Sequence, residues 1–301
     1  MWDVVSAVNN GGAKFEWEEV VSNIGDSKLY IGTTRDALRF NNVPAMTWHR
    51  HIIDGDSRTF NGVRVPATAR EMQEIADNLL CMLPTPYILD LMWEQANLKF
   101  DPVINLGHGK IVATQNIHDV HIAIEKKIEK SGGYPKRGII ASVGKYWCVC
   151  NELLAKTPDT RKYGIKTACN YGWHSSTGRY NGVVPGIRLW QGIGTRHNDE
   201  HVDPSQVIRL VYRIARLVHP DGKQEKVDLH DIAKSKVLSK GINHGTKSHI
   251  LNVLRQPSVR KKQWFINSGN VAVMPELTIY GNTPPAEMND EDLSSFINNK
   301  P

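Results

Sequence analysis

The order of strand-like and helix-like segments is the feature that most constrains the fold. β-rich runs at Lys28–Gly32 and Ala45–Ile53 come first, amphipathic helices follow, and further strand candidates come after the helices. A doubly wound parallel sheet needs strands and helices in regular alternation, which this order lacks. The sequence therefore predicts an α+β fold with a mixed or antiparallel sheet.

Helix signals occur at three places. Thr68 and Glu71 have the spacing of a capping box ahead of apolar residues at helical intervals. Thr85–Pro86 supplies an N-cap and a proline in the first turn of a second helix. The sequence thus predicts a unit of two consecutive helices over about 68–97, and a third helix over about 117–130.

The later part of the chain is richer in strand signals. We expect Gln206–Val218 to form a strand that continues through the Pro220–Gly222 turn into a hairpin, although its apolar spacing also fits a helix. A short helix is expected from Leu229 to Ser239. Other strand candidates are residues 138–142, 145–150, 165–171 and 186–190.

Composition limits the class of protein. The 301 residues are 40% hydrophobic and 23% charged, which is typical of a soluble globular chain. The N-terminus lacks a classical signal peptide and no segment is apolar over the length of a membrane span, so we expect no membrane span. The compartment stays unknown, with a cytoplasmic protein and a released or virion-associated one both open.

Charge divides the chain into two regions. We expect a single α+β domain over 1–245 that carries the candidate site, and an extension over 246–301 with a basic segment followed by an acidic tail. The net charge of +6 is too small to require a polyanion, so nucleic acid is not an expected partner. The pI of about 9.0 would suit an anionic cell-envelope polymer.

The cysteine pattern does not indicate a disulfide-bonded scaffold. The chain has four cysteines and no Cys-x-x-Cys pair, so we expect buried, reduced thiols. P-loop, dinucleotide-binding and Gly-x-Ser-x-Gly signatures are also missing. No single motif therefore defines a reaction.

Two histidine pairs have spacings that favour shared faces. His49 and His51 would lie on one face of a strand. His118 and His121 would lie on one flank of a helix, where we expect them to be solvated. Two imidazoles alone do not complete a metal site.

The richest polar cluster lies between residues 171 and 205. His174 ends a strand-like run beside Tyr171 and Trp173, and His197, His201 and Asp203 follow within a short span. Such residues could hold a divalent metal such as Zn²⁺ through His174, His197, His201 and Asp203, or Asp203 could orient a histidine that takes a proton. A polar surface loop without function is the other interpretation of the same span.

Short motifs follow one another in a fixed order along the chain: Val65-Pro66, Ile75-Ala-Asp77, Leu83-Pro-Thr-Pro86, Asp90, Tyr171-Gly-Trp-His174 and His201-Val-Asp203-Pro-Ser205-Gln-Val-Ile-Arg209-Leu-Val211. This order resembles a family of poorly characterised bacterial proteins, many of them exported. The resemblance covers about residues 25–245 and implies that His174, Asp203, Ser205 and Arg209 form one site. At positions 204 and 206 this chain has Pro204 and Gln206, where the family has Tyr and His, so a protein that kept the fold and lost the activity is also an open alternative.

These observations lead to two hypotheses about function. The first is a hydrolase of a polar cell-envelope polymer such as peptidoglycan, delivered by a phage or an export machine. The second is a non-catalytic structural or adaptor protein of a virion or secreted particle, with particle subunits as partners. In the hydrolase hypothesis, the catalytic residues are His174, His201, Asp203 and Ser205, and the substrate-binding residues are Tyr171, Trp173, Lys136 and Arg209.

Overall fold

The computed structural model describes residues 1–47, 49–103, 113–149, 167–198, 200–232 and residue 242. These residues form helices and antiparallel sheets in an α+β fold, as the sequence predicts. The helices are α1 Val4–Asn9, α2 Ala69–Asn78, α3 Pro86–Glu94, α4 Ala113–Lys130 and α5 Leu229–Ile232. The strands are β1 Ala13–Lys14, β2 Trp17–Ile24, β3 Ser27–Thr34, β4 Arg39–Phe40, β5 Val43–Pro44, β6 Thr59–Phe60, β7 Val63–Arg64, β8 Cys81–Met82, β9 Tyr146–Cys148, β10 Thr167–Tyr171, β11 Tyr180–Asn181, β12 Arg188–Leu189, β13 Gly194–Asn198, β14 Val211–Tyr212, β15 Ile214–Val218 and β16 Gln224–Asp228.

The largest sheet is built around β3. Strands β2, β14 and β15 all pair with β3 in antiparallel fashion, and β8 and β16 extend the sheet on either side. Gly25 adopts a positive φ of 60° in the turn between β2 and β3, a conformation that glycine reaches without steric cost. β15 and β16 form the predicted hairpin, with Val218 opposite Gln224.

The predicted helix signals are confirmed. The Thr68 side chain accepts from the Glu71 amide while Glu71 reaches back to the Thr68 amide, and Thr85 caps α3. The structure adds β8 between the two helices, and this strand pairs with β14 in the main sheet. Helix α4 includes Ala113, four residues before the predicted start. The predicted helix at 229–239 is observed as α5, and residues 233–239 lie outside the described residues.

Two strand predictions were wrong. In Ala45–Ile53 the described backbone makes only an isolated bridge, Met46 to Ile52, around a tight turn in which the Arg50 amide donates to the Thr47 carbonyl. Arg50 has a φ of 59° there, so the chain reverses and His49 and His51 do not share a strand face. Residues 138–142 likewise form only a bridge, from Ile140 to Leu98.

A smaller sheet, in the order β13-β10-β9, carries Tyr171 and His197, and the other candidate site residues lie outside its strands. Its buried side, with Trp147 and Tyr171, joins a continuous hydrophobic core that extends from Val4 to Ile242. None of the described helices has the length and hydropathy needed to cross a bilayer. The boundary expected near residue 245, and the whole of 246–301, lie outside the described residues.

Three cysteines are buried and form no disulfide bond with one another, as expected. Cys148 on β9 lies directly opposite Cys169 on β10, with 3.3 Å between the two sulfur atoms. Burial raises the pKa of the Cys81 thiol, which keeps it protonated. Cys150 lies outside the described residues.

Candidate functional site

His174 lies at the end of the Tyr171–His174 run, with its side chain almost completely buried. Its Nε2 is 2.7 Å from Asp90 Oδ1 and its Nδ1 is 3.0 Å from the Gly172 carbonyl oxygen. Trp93 of α3 stacks on the imidazole with ring centroids 5.5 Å apart. Both ring nitrogens therefore face oxygen atoms, one of which belongs to the Asp90 carboxylate. No ring nitrogen of His174 is left to accept a proton from a substrate or to bind a metal.

Asp90 is within hydrogen-bonding distance of groups from three segments of the chain. It is fully buried in α3 and accepts from the Tyr171 hydroxyl at 2.8 Å and from the Val184 amide at 2.7 Å. Burial, and then the Asp90 charge, raise the pKa of Tyr171 far above its usual range, so this phenol acts as a neutral donor. Tyr171 therefore contributes to a buried polar network, and in the described chain it offers no face to a polymer.

Arg209 is also enclosed. Its guanidinium donates to the Thr34 carbonyl at 3.1 Å and to the Ile140 carbonyl at 2.7 Å, and it lies 5.1 Å from the Tyr146 ring centre. Arg209 and His174 line one small pocket, whose volume of about 10 Å³ accommodates at most about one water molecule. Arg209 thus borders the same small pocket as His174, but at 1% exposure it does not reach a polymer outside the protein.

A second cluster forms around Asp203. One Asp203 oxygen accepts from both the Ser205 amide and the Ser205 hydroxyl, and the other lies 3.4 Å from the Lys145 ammonium. Burial alone would raise the pKa of Asp203, but Lys145 and the Ser205 hydrogen bonds together hold it below its usual range. Asp203 is therefore anionic near neutral pH. Since the Ser205 hydroxyl donates to this carboxylate, Ser205 stabilises Asp203 and is not prepared as a nucleophile.

His197 and His201 are parallel to one another beside Asp203. Their ring centroids are 3.9 Å apart, and His201 Nε2 is 3.7 Å from Asp203 Oδ2. Burial, followed by the charges of His201 and Lys145, lowers the pKa of His197, which keeps this inner ring neutral. His201 is the outer ring, with 36% of its side chain exposed. In the described chain its other ring nitrogen has no hydrogen-bond partner.

Aromatic side chains continue from this cluster to the surface. The Lys145 ammonium lies 4.9 Å from the Trp173 ring centre, and the Trp190 amide donates to the Trp173 carbonyl at 2.7 Å. Trp190 and Tyr180 are among the most exposed large apolar side chains of the described residues. Lys136 is exposed on the loop after α4, and the described contacts do not connect it to either cluster.

The metal prediction stays open in the structure. Among the described residues, no three His, Cys, Asp or Glu side chains come together as a metal site would require, and Asp199 is outside them. The stacked rings of His197 and His201 face one another, whereas ligands of a tetrahedral zinc ion converge on one point. The divalent metal therefore stays a prediction.

The prediction that His118 and His121 are both solvated on α4 was wrong for His121. This side chain is buried and accepts a hydrogen bond from the guanidinium of Arg64, with 2.9 Å between nitrogen atoms. On a helical wheel of α4, His121 lies at the edge of the apolar stripe. Strand β7 packs against α4 and covers the side that carries His121.

Three important polar residues were missed in the sequence. Asp90 interrupts an apolar helical run, which is a signal for a buried, paired carboxylate. Lys145 and Trp93 carry no comparable signal, because their roles depend on contacts with residues far away in the chain. Comparison with family models, curated proteins and solved structures finds no match to this chain.

Proposed function

We propose that the chain is a hydrolase of a polar cell-envelope polymer and that its acid–base residue is His201. The single observation that carries this proposal is the contrast between two histidine–aspartate pairs. His174 is 2% exposed and has both ring nitrogens engaged, whereas His201 is partly exposed beside an anionic Asp203 and has a ring nitrogen available.

The proposed step is general acid–base hydrolysis. His201 would take a proton from a water molecule as the water oxygen bonds to the scissile centre, and would then give that proton to the leaving group. The Asp203 carboxylate stabilises the imidazolium that exists between the two transfers. Lys145 and Ser205 hold Asp203 in its charged form, so they are positioning residues.

The surface beside this pair suits a carbohydrate-containing polymer. Sugar rings present apolar C–H faces that pack on aromatic rings, and Trp190, whose amide donates to the Trp173 carbonyl, exposes such a ring. The positive net charge favours an anionic envelope polymer over a neutral one. Phage or export delivery remains part of the proposal only as the route to such a substrate.

The test measures release of soluble fragments from purified cell-envelope material. We expect His201→Ala and Asp203→Asn to lower the rate at least about a hundredfold, the usual contribution of general acid–base catalysis. His219→Ala is the matched control, because His219 is a similarly exposed histidine 3.1 Å from a carboxylate, that of Glu225 in the β15–β16 hairpin. An unchanged rate in folded His201→Ala would contradict the assignment.

A non-catalytic particle or adaptor protein is the second candidate. It is favoured by the way the predicted site residues satisfy one another, since Asp90 holds His174 and Lys145 with Ser205 holds Asp203. In that case wild-type protein releases nothing from envelope material, and deletion of 246–301 prevents incorporation into the particle.

A further inference from the structure

Three cations lie in one row across the sheet β1-β4-β7. Lys14 on β1 is directly opposite Arg39 on β4, and Arg39 is directly opposite Arg64 on β7. Residues directly opposite one another in antiparallel strands share a face, and like charges in such positions repel. Negative charge close to the row therefore stabilises it.

The protein neutralises one end of this row. Arg64 makes two hydrogen bonds to the Asp36 carboxylate, at 3.0 and 2.6 Å, and one to Glu125 at 2.8 Å. The pKa of Asp36 lies below its usual range, since Arg64, Arg209 and Arg39 outweigh the effect of burial. Asp36 is thus charged, and both carboxylates near Arg64 are already hydrogen-bonded.

The other end of the row has no such partner in the described chain. The one hydrogen bond of the Arg39 side chain is a long one, 3.3 Å, from Nη1 to the Tyr134 hydroxyl, and its guanidinium lies over the Tyr134 ring. Its Nε and Nη2 donors face no carboxylate among the described residues. Lys14 is exposed, and none of the described carboxylates contacts its ammonium group.

A cavity opens at the same place. Its volume is about 150 Å³, compared with the roughly 10–15 Å³ that one water molecule needs on the same scale. The Glu16 carboxylate in its wall is paired with Arg35 at 2.5 Å. Lys14, Arg39, Tyr134 and Asp36 also line the cavity.

We propose that this cavity binds the phosphoryl group of a small molecule, with Lys14 and Arg39 as its direct contacts. A phosphoryl group carries a charge of about −1.5 to −2 at pH 7 and accepts a forked pair of hydrogen bonds from a guanidinium. It would supply the negative charge that the Lys14–Arg39 pair lacks. The site shares no residue with the His201 and Asp203 cluster, so it goes beyond the proposed hydrolase function.

The test uses inorganic phosphate as the probe, with the full chain at constant ionic strength. We expect phosphate to raise the unfolding temperature of the wild type, because a ligand that binds the folded state stabilises it. Lys14→Gln and Arg39→Gln should each weaken phosphate binding at least tenfold by calorimetric titration. Without phosphate, Lys14→Gln should unfold at the wild-type temperature or above it, since a like-charge contact is removed.

Lys28→Gln is the matched control. Lys28 is an exposed lysine at the start of β3, outside the cavity, and its replacement should leave the phosphate response unchanged. Retention of wild-type phosphate binding in both cavity variants would overturn the proposal, and so would an equal stabilisation by sodium chloride or sodium acetate. If Arg39→Gln does not fold, the exposed Lys14→Gln variant decides the question alone.

Discussion

At the scale of single residues, the neighbours of the buried imidazoles differ. His174 has a carboxylate oxygen at one ring nitrogen and a carbonyl oxygen at the other. His121 has the Arg64 guanidinium at its Nδ1, and because a guanidinium only donates, that nitrogen must be an acceptor. Burial, followed by the charge of Arg64, lowers the pKa of His121 to about 4.

A pH dependence of stability follows for His121. Its pKa is about 4 in the folded chain and about 6.5 when unfolded, so between these values the unfolded chain binds more protons. The free energy of unfolding that depends on neutral His121 is fully present above pH 6.5. It is lost as the pH falls towards 4, at up to roughly 1.4 kcal/mol per pH unit. We expect His121→Gln to lose less stability than the wild type between pH 7 and pH 5 in urea unfolding. His219→Gln, at an exposed site, should follow the wild type, and a His121→Gln curve parallel to the wild type would contradict this assignment.

Sequence reasoning places His174 and Asp203 in one candidate site and does not show that they belong to different clusters. The partner of His174 is Asp90, 84 positions earlier in α3, and that of Asp203 is Lys145. Neither separation along the sequence corresponds to a helix or strand periodicity. The Tyr171–His174 motif indicates a polar position, and only the tertiary structure shows which carboxylate occupies it.

At the scale of elements, signals within a few residues predict structure well. The capping box at Thr68 and the proline at the start of α3 act through bonds inside the first turn, so their effect is independent of the rest of the fold. The strand predictions at residues 45–53 and 138–142 fail for two different reasons. In 45–53 a tight turn, in which the Arg50 amide donates to the Thr47 carbonyl, reverses the chain, and in 138–142 the Ile140 amide donates to the distant Arg35 carbonyl. Both sets of bonds override β-propensity.

The cap of α2 gives a prediction about this element. Thr68→Ala removes the side-chain acceptor of the Glu71 amide and should destabilise the protein by about 0.5–2 kcal/mol. Thr68→Ser keeps the hydroxyl and should retain most of that stability. Thermal unfolding of the two variants side by side measures the difference, and equal losses would show that the methyl group, not the cap, matters.

At the scale of the whole molecule, β3 joins the two ends of the described chain. Arg216 of β15 makes hydrogen bonds of 3.1–3.2 Å to Glu19 of β2, across the face of β3, and both side chains are buried. The guanidinium also lies 4.5 Å from the Tyr30 ring centre. The pair connects the first hairpin to the last strands of the sheet.

Removal of one partner should be more harmful than removal of both. Arg216→Met leaves the Glu19 carboxylate buried without its cation and should cost about 3–5 kcal/mol. The double variant Glu19→Met with Arg216→Met removes the unpaired charge and should recover a large part of the loss. Urea unfolding of the two single variants and the double variant completes the cycle, and additive losses would mean that the two residues do not interact.

The central place of β3 also has a consequence during synthesis. β3 ends at Thr34 and its neighbour β15 begins at Ile214, so about 180 residues separate their emergence from the ribosome. At roughly 5–20 residues per second, β3 waits on the order of 10–40 s before that neighbour exists. Throughout this interval one edge of the β2–β3 hairpin offers unpaired backbone groups to other nascent chains. The yield of native protein should therefore depend on chaperones that shield this edge more than on the final stability of the fold.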